Sequence, residues 1–167
     1  PIDYSKAMVF LEKRLNNLDK NFGNELIWIL QHKDIFTAGI SSKQDEILDK
    51  SIKIQKTNRG GKITFHGSGQ LIFYFVINLK KRKKDIRKFL KIIEDTIIQS
   101  LEAYNIKAFA DRKNVGIWVK HKKNIKKIAS IGIKIKKWIA YHGFAINIST
   151  DLKNFEKIIP CGLKNTK

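Results

Sequence analysis

One thiol stands out among the side chains that could do chemistry. Cys161 is the only cysteine in the 167 residues, and it lies between Pro160 and Gly162. A lone cysteine is more often a small buried hydrophobic residue than a nucleophile. However, Pro160 is the only proline after residue 1, and flanking Pro and Gly residues favour an exposed turn over the middle of a strand. We therefore predict that Cys161 is a nucleophile.

Such a thiol needs a cation nearby. A free thiol has a pKa near 8.5, so only a few per cent is thiolate at neutral pH, and a neighbouring positive charge must lower that pKa. The sequence offers His66, His142, Lys126 and Lys127 as candidates, and spacing along the chain does not choose between them. One cysteine and four scattered histidines form no ligand pair at metal spacing, so we expect no metal site.

A glycine-rich segment is the second candidate for function. Four of the ten glycines lie in residues 59–70, RGGKITFHGSGQ, together with Arg59, Thr64 and His66. Glycine is costly to order, so such a cluster serves either a hairpin loop or a backbone that lies against a ligand. The polar residues favour the ligand cradle. Neither G-x-G-x-x-G nor G-x-x-x-x-G-K-[ST] is present, so it is not a nucleotide fingerprint.

Hydrophobic periodicity indicates which elements carry these residues. Apolar residues at helical spacing from Tyr4 to Leu18 predict a helix whose end is marked by Asn16-Asn17 and Gly23. A second helix is predicted after Asp85, with an apolar stripe from Ile86 to Tyr104. Apolar or alternating runs predict a buried strand at 26–30, a half-exposed strand at 52–54, a central strand at 70–79, and strands at 115–119, 128–135 and 141–148. His142 and Gly143 fall in the last strand, where a close packing position is the ordinary interpretation.

These elements predict a single α+β domain over residues 1–167. Because short polar turns join most strands, we expect a large mixed, mostly antiparallel sheet flanked by helices. The single cysteine and the absence of an apolar run of about 20 residues predict a cytoplasmic protein without membrane or secretory segments. The net charge of +19 attracts polyanions. However, the basic runs lack the aromatic residues that nucleic-acid sites usually interleave with basic ones.

Four blocks together resemble the lipoyl(octanoyl) transferase family. They are HKDIFTAG at 32–39, RGGKITFHGSGQ at 59–70, KIASIG at 127–132 with YHGFAIN at 141–147, and PCG at 160–162. The match covers nearly the whole chain, and the combination is far more specific than any one block. Ser68, Phe75 and the pair Lys33-Asp34 stand where the family usually has proline, and none of these departures removes a charged or nucleophilic group. Members usually continue beyond P-C-G, so we expect a further C-terminal segment.

The resemblance implies roles for particular residues. Cys161 would carry an acyl thioester, and Lys127 would lower the pKa of that thiol. The acyl site would be lined by Arg59, Gly60, Gly61, Lys62, Ile63, Thr64, Phe65, His66, Ser130, Ile131, Gly132, Gly143, Phe144 and Ala145. The fold would be that of the biotin and lipoate protein ligases, and no cofactor would be needed.

The resemblance also implies the reaction. An octanoyl group would pass from acyl-carrier protein, through Cys161, to a specific lysine on lipoyl domains of 2-oxoacid dehydrogenases or on the glycine cleavage H protein. We expect a monomer that binds neither membrane nor nucleic acid. Two alternatives remain: an ATP-dependent lipoate or biotin ligase, which would not need Cys161, and a non-catalytic basic nucleic-acid-binding protein. In the ligases His-Asp follows the glycine run, whereas here Gly67 follows His66.

Overall fold

The fold contains two β-sheets, seen in a computed structural model that describes residues 1–160. The large sheet is antiparallel throughout and has the strand order β1-β5-β9-β8-β7-β6. In the small sheet, of order β3-β2-β4, β2 pairs parallel with β3 and antiparallel with β4. The strands of these sheets are β1 (Leu26–Leu30), β2 (Ile35–Ala38), β3 (Ile54–Lys56), β4 (Ile63–His66), β5 (Gln70–Asn78), β6 (Ala108–Ala110), β7 (Ile117–His121), β8 (Asn124–Lys136) and β9 (Ile139–Asn147).

Two helices cover opposite faces of the large sheet. Helix α1 (Tyr4–Asp19) is capped by Asp3, whose carboxylate accepts a hydrogen bond from the Lys6 backbone N–H at 3.1 Å. Its apolar face packs on β5 and β9 in a cluster that includes Ala7, Leu11, Leu15, Ile72, Tyr74, Tyr141 and Ala145. Helix α2 (Ile86–Glu102) is capped by Asp85 and packs on the other face in a cluster that includes Phe89, Ile93, Ile97, Phe75, Ile117, Ala129 and Ile146.

The small sheet has a core of its own and leads into the large one. Phe36, Ile63, Phe65 and Ile158 form this core. Strand β4 ends at His66, and a turn through Gly67 and Gly69 carries the chain directly into β5 of the large sheet. A segment from the small sheet therefore lies beside the middle of the large sheet, and this junction holds the candidate site.

The α+β prediction is confirmed, and so are both helices and most strands. The residues predicted to form a central strand make β5, which is paired on both sides. Asp85 caps α2 as expected, with its carboxylate accepting from the Lys88 N–H at 2.9 Å. The hairpins β7–β8 and β8–β9 follow the predicted antiparallel order. Neither helix in residues 1–160 is long and apolar enough to cross a membrane.

Several boundaries and burials differ from the prediction. Strand β1 is an edge strand that is covered on one face only: Leu30 is buried in the core, whereas Ile27 and Ile29 on the other face are exposed. The predicted strand at 52–54 begins only at Ile54. Ile86, the first residue of α2, and Tyr104, two residues after its end, are also exposed.

Candidate functional site

A pocket lies between the segment before β4 and the middle of strands β8 and β9. Its wall contains most of the residues that the sequence predicts for the acyl site, together with others that were not predicted. The lining residues are Arg59, Gly61, Lys62, Ile63, Thr64, His66, Ile72, Tyr74, Val115, Lys127, Ser130, Ile131, Gly132, His142, Gly143, Phe144 and Ala145. The fold thus brings together blocks that are some 60 to 80 residues apart in sequence, as the numbering shows.

Small residues in register form the floor of the pocket. Gly132 of β8 lies opposite Gly143 of β9, and the next pair on the same face of the two strands is Ser130 with Ala145. On the other side of β9, Tyr74 lies opposite Gly143 and Ile72 lies opposite Ala145. Side chains that point to one face recur at every second position of a strand, so four small residues adjoin there. They leave a depression where larger side chains would fill the space.

The loop that covers this depression is fixed by Arg59. The Arg59 guanidinium, buried at 8% exposure, donates from Nη2 to the Thr37 backbone oxygen (2.9 Å) and to Thr37 Oγ1 (2.8 Å), and from Nη1 to the Gly60 oxygen (3.0 Å). The backbone passes very close to β8: a Cβ on Gly60 would lie 2.5 Å from the Ile133 oxygen, and one on Gly132 would lie 3.1 Å from the Gly60 oxygen. Glycine at both positions permits this approach.

Lys62 links the pocket to the last described residues of the chain. Its ammonium pairs with the Glu46 carboxylate at 2.7 Å, and that carboxylate is almost completely buried. The backbone oxygen of Glu46 accepts a hydrogen bond from the Ile159 N–H at 2.7 Å. The segment that ends at Pro160 is therefore anchored to a residue that also holds the pocket wall. Cys161 itself lies outside the residues that the structure describes.

Lys127 reaches the pocket from β8 and is held there by its neighbours. Its Nζ donates to the Val115 backbone oxygen at 2.9 Å and lies 4.7 Å from the centre of the Trp118 indole ring. Gly116 makes room for this side chain, because a Cβ there would lie 3.0 Å from Lys127 Cε and 3.2 Å from Nζ. Gly116 also has φ +133°, a conformation that favours glycine. The adjacent Lys126 does not line the pocket.

His66 is a neutral acceptor in the pocket wall. The amide nitrogen of Gln70 donates to the Phe65 oxygen (3.3 Å) and to Asn147 Oδ1 (2.8 Å), so its Oε1 accepts from His66 Nδ1 at 2.6 Å. This assigns the proton to Nδ1 and leaves a lone pair on Nε2. Burial, and secondarily the charge of Arg59, lowers the pKa of His66 to about 3. His66 is therefore uncharged at neutral pH.

His142 is also uncharged, and its position has an energetic cost. Burial, then the charges of Arg59 and Lys134, lowers its pKa to about 3. Its φ of +66° costs about 1–2 kcal/mol for a residue with a side chain. Its buried Nδ1 has no hydrogen-bond partner within residues 1–160, which costs about 1–3 kcal/mol more. Of the four cations that the sequence offered for the thiol, neither histidine carries a charge at pH 7, and of the two lysines it is Lys127 that lines the pocket.

Some predicted site residues lie elsewhere, and some pocket residues were missed. Phe65 points away from the pocket into the core of the small sheet, where its ring meets Phe36 and Phe155. Gly60 backs onto β8 rather than lining the pocket. Ile72, Tyr74 and Val115 line the pocket without having been predicted, because their contribution depends on strand register. His142, which the sequence offered as a possible cation or as a close packing position, also lines the pocket. Within residues 1–160, no cluster of His, Cys, Asp and Glu could hold a metal ion.

Comparison with known proteins identifies the family of this chain. The sequence model of the lipoyl protein ligase A/B catalytic domain matches residues 3–167. The chain belongs to this family. It is 44% identical over 164 residues to an octanoyltransferase of Wolbachia pipientis subsp. Culex pipiens (strain wPip), covering 98% of this chain and 80% of the relative. It is 46% identical over 169 residues to an octanoyltransferase of Orientia tsutsugamushi (strain Boryong), covering 99% and 81%.

A solved structure shows the same fold at lower identity. The chain is similar to a bi-partite lipoate protein ligase of Thermoplasma acidophilum, with a TM-score of 0.66 and 17% identity, covering 86% of this chain and 58% of that one. At this identity the likeness concerns the fold. The family and the two relatives confirm the resemblance drawn from the four sequence blocks, and they make this chain an enzyme of the acyltransferase class.

Proposed function

We propose that this enzyme transfers an octanoyl group from acyl-carrier protein to a lysine of lipoyl domains, through a thioester on Cys161. The observation that carries the proposal is the placement of Lys127. The structure holds this lysine at the rim of a pocket with a small-residue floor, and the relatives with about 44% identity are named octanoyltransferases. The cytoplasmic location, the monomeric state and the single catalytic domain expected from the sequence remain parts of this proposal.

The pocket suits an acyl chain better than a polar ligand. Ile72, Tyr74 and Ala145 contribute apolar surface on the face of the sheet that carries Gly132 and Gly143, and the two glycines leave room for a thin, flexible chain. Burial of each methylene of such a chain contributes about 0.8 kcal/mol. The polar groups gather at Arg59, His66 and Lys127. An aliphatic tail against Ile72 and the small residues, with its carbonyl near the polar groups, is consistent with this distribution.

Lys127 has two parts in the proposed chemistry. Its ammonium favours the Cys161 thiolate, which attacks the octanoyl carbonyl carbon, forms a new C–S bond and releases the carrier thiol. Because one thioester replaces another, this step is nearly isoenergetic. The target lysine then attacks the acyl-enzyme, forms an amide and releases Cys161. Lys127, which gave its proton to the departing carrier sulfur in the first step, is neutral in the acyl-enzyme and can accept the proton that the incoming amine loses.

The second step is downhill because an amide is more stable than a thioester, so the reaction needs no ATP. This separates the proposal from the ligase alternative. The purified enzyme is mixed with octanoyl-carrier protein and a lipoyl domain without ATP, and separately with free octanoate or lipoate plus ATP. We expect acylated lipoyl domain in the first mixture only. Product that forms solely from free acid and ATP would identify a ligase.

The role of Lys127 has its own test. In Lys127→Ala the apparent pKa of the Cys161 thiol should rise, which is measured as the pH dependence of alkylation by iodoacetamide. Lys126→Ala is the matched control, because it removes the same charge one residue away without altering the pocket wall. An alkylation profile that is unchanged in Lys127→Ala, or shifted equally by Lys126→Ala, would remove Lys127 from this role.

A further inference from the structure

The ring of His142 lies on an unexpected side of its strand. Consecutive side chains of a strand point to opposite faces, yet the rings of Tyr141 and His142 stack with their centres 4.6 Å apart and an angle of 27° between their planes. The positive φ of His142 turns its side chain to the face on which Tyr141 packs against α1. Within residues 1–160, His142 is the only non-glycine residue with positive φ inside a β-strand.

This turn brings the imidazole against the residue that precedes the pocket loop. His142 Nε2 lies 2.7 Å from Asn58 Oδ1, and the Asn58 amide nitrogen faces the Glu12 carboxylate at 3.4 Å. An amide oxygen only accepts, so His142 donates from Nε2. Asn58 is followed by Arg59, Gly60 and Gly61, the segment that lies across β8. The hydrogen bond therefore ties β9 to the start of this segment.

We propose that His142 is a positioning residue that holds the Arg59–Gly60–Gly61 loop against β8 through Asn58. The other side of the loop is fixed by β2 and the residues after it: the N–H groups of Gly39, Ile40 and Ser41 donate to the oxygens of Lys62, Arg59 and Gly61. Two consecutive glycines have wide backbone freedom, so contact on one side alone leaves the loop free to lift from the pocket. His142 supplies the second attachment.

The imidazole acts here as a fixed donor and not as an acid or base. It is uncharged at neutral pH and its buried Nδ1 has no partner within residues 1–160, so it is not placed to exchange protons with solvent. The inference deepens the proposed octanoyl transfer and rests on it for its functional consequence. Displacement of catalytic or positioning groups by about 1 Å can cost on the order of 100-fold in rate.

A double-mutant cycle tests the proposal. We expect His142→Phe and Asn58→Ala each to lower the single-turnover rate of octanoyl transfer about tenfold or more. Because both changes break the same hydrogen bond, the rate of the double variant should lie within about threefold of the rate of the slower single variant. His142→Gln, which keeps an N–H at similar reach, should recover most of the rate. Ile97→Ala, in the α2 core, is the control: it should lower the melting temperature without changing the rate.

Hydrogen exchange supplies a readout that does not depend on the reaction. The amides of Gly39, Ile40 and Ser41 should exchange about tenfold faster in His142→Phe and Asn58→Ala, and at the wild-type rate in His142→Gln. Three results would overturn the proposal. They are losses of transfer rate that multiply in the double variant, unchanged exchange at these amides, and transfer rates that follow the melting temperature alone. If the wild-type enzyme transfers no octanoyl group, the proposed function fails while the exchange data still decide the attachment of the loop.

Discussion

Gly116 is the position where a single methyl group should separate stability from catalysis. In Gly116→Ala the new Cβ would lie 2.7 Å from the Ala129 oxygen, 3.0 Å from Lys127 Cε and 3.2 Å from Lys127 Nζ. A backbone strand cannot yield cheaply, so we expect the lysine side chain to move and its hydrogen bond to the Val115 oxygen to break. The φ of +133° adds strain of about 1–3 kcal/mol.

The two consequences have different sizes. For a chain of this length the strain should lower the melting temperature by roughly 2–12 °C. If Lys127 acts on the thiol and on the incoming amine, displacement of Nζ should also slow octanoyl transfer by at least about tenfold, and by up to the roughly 10²–10⁴-fold that complete loss of a general acid–base group costs. Differential scanning fluorimetry measures the first effect, and single-turnover transfer of octanoyl from carrier protein measures the second.

Gly23 provides the matched control. It has φ +107°, and a Cβ there would meet only the Asn17 Cβ at 3.9 Å, far from any pocket residue. Gly23→Ala should therefore carry a similar strain and leave the transfer rate unchanged. In a Lys127→Ala background, Gly116→Ala should cause no further loss of rate. A Gly116→Ala enzyme that is less stable but transfers at the wild-type rate would refute the idea that this glycine positions Lys127.

Three other predictions follow from the charges of the pocket and of the whole chain. Because burial lowers the pKa of His66 and His142 to about 3, the unfolded state binds protons that the folded state does not as pH falls below about 6.5. The free energy of unfolding should therefore decrease by about 1.4 kcal/mol per pH unit for each histidine, which urea titrations between pH 7 and 4 would measure. A flat profile would contradict the burial of these rings as neutral groups. Arg59→Lys should lower the melting temperature by about 4–8 °C and the transfer rate about tenfold, because one ammonium cannot replace the forked contacts with Thr37 and Gly60. Arg14→Lys is the control: it alters a single exposed contact and should change neither quantity. Raised salt should slow transfer from acidic carrier protein but not from a small octanoyl thioester, since the net charge of +19 can steer only a charged partner; equal inhibition of both substrates would exclude steering.

The sequence predicted those parts of the fold that local patterns determine. Helix α2 has both a cap at Asp85 and a continuous apolar stripe, and it begins at the residue after that cap. Strand β5 has an aromatic and β-branched run that fits only a paired strand. In contrast, β4 was interpreted as part of a glycine loop, because its four buried residues follow two glycines and an arginine. Its strand character comes from pairing with β2, which is a tertiary contact.

The candidate site was predicted by residue type and motif, and its geometry came from strand register. The motif supplied Lys127, but spacing could not exclude His66 and His142, because their lowered pKa values result from burial next to Arg59. Ile72 and Tyr74 entered the pocket because β5 pairs with β9 in one particular register. The side of the strand occupied by His142 depends on a positive φ, which no pattern of polar and apolar residues encodes.

The most direct test of the account is the mass of the protein after it reacts with octanoyl-carrier protein in the absence of an acceptor. The account predicts one octanoyl group per chain, located on the peptide that contains Cys161 and removed by hydroxylamine, as a thioester should be. Cys161→Ala should remain unlabelled and should not turn over. Full turnover by Cys161→Ala, or a stable octanoyl group on another residue of the wild-type chain, would contradict the central claim that Cys161 carries the acyl group.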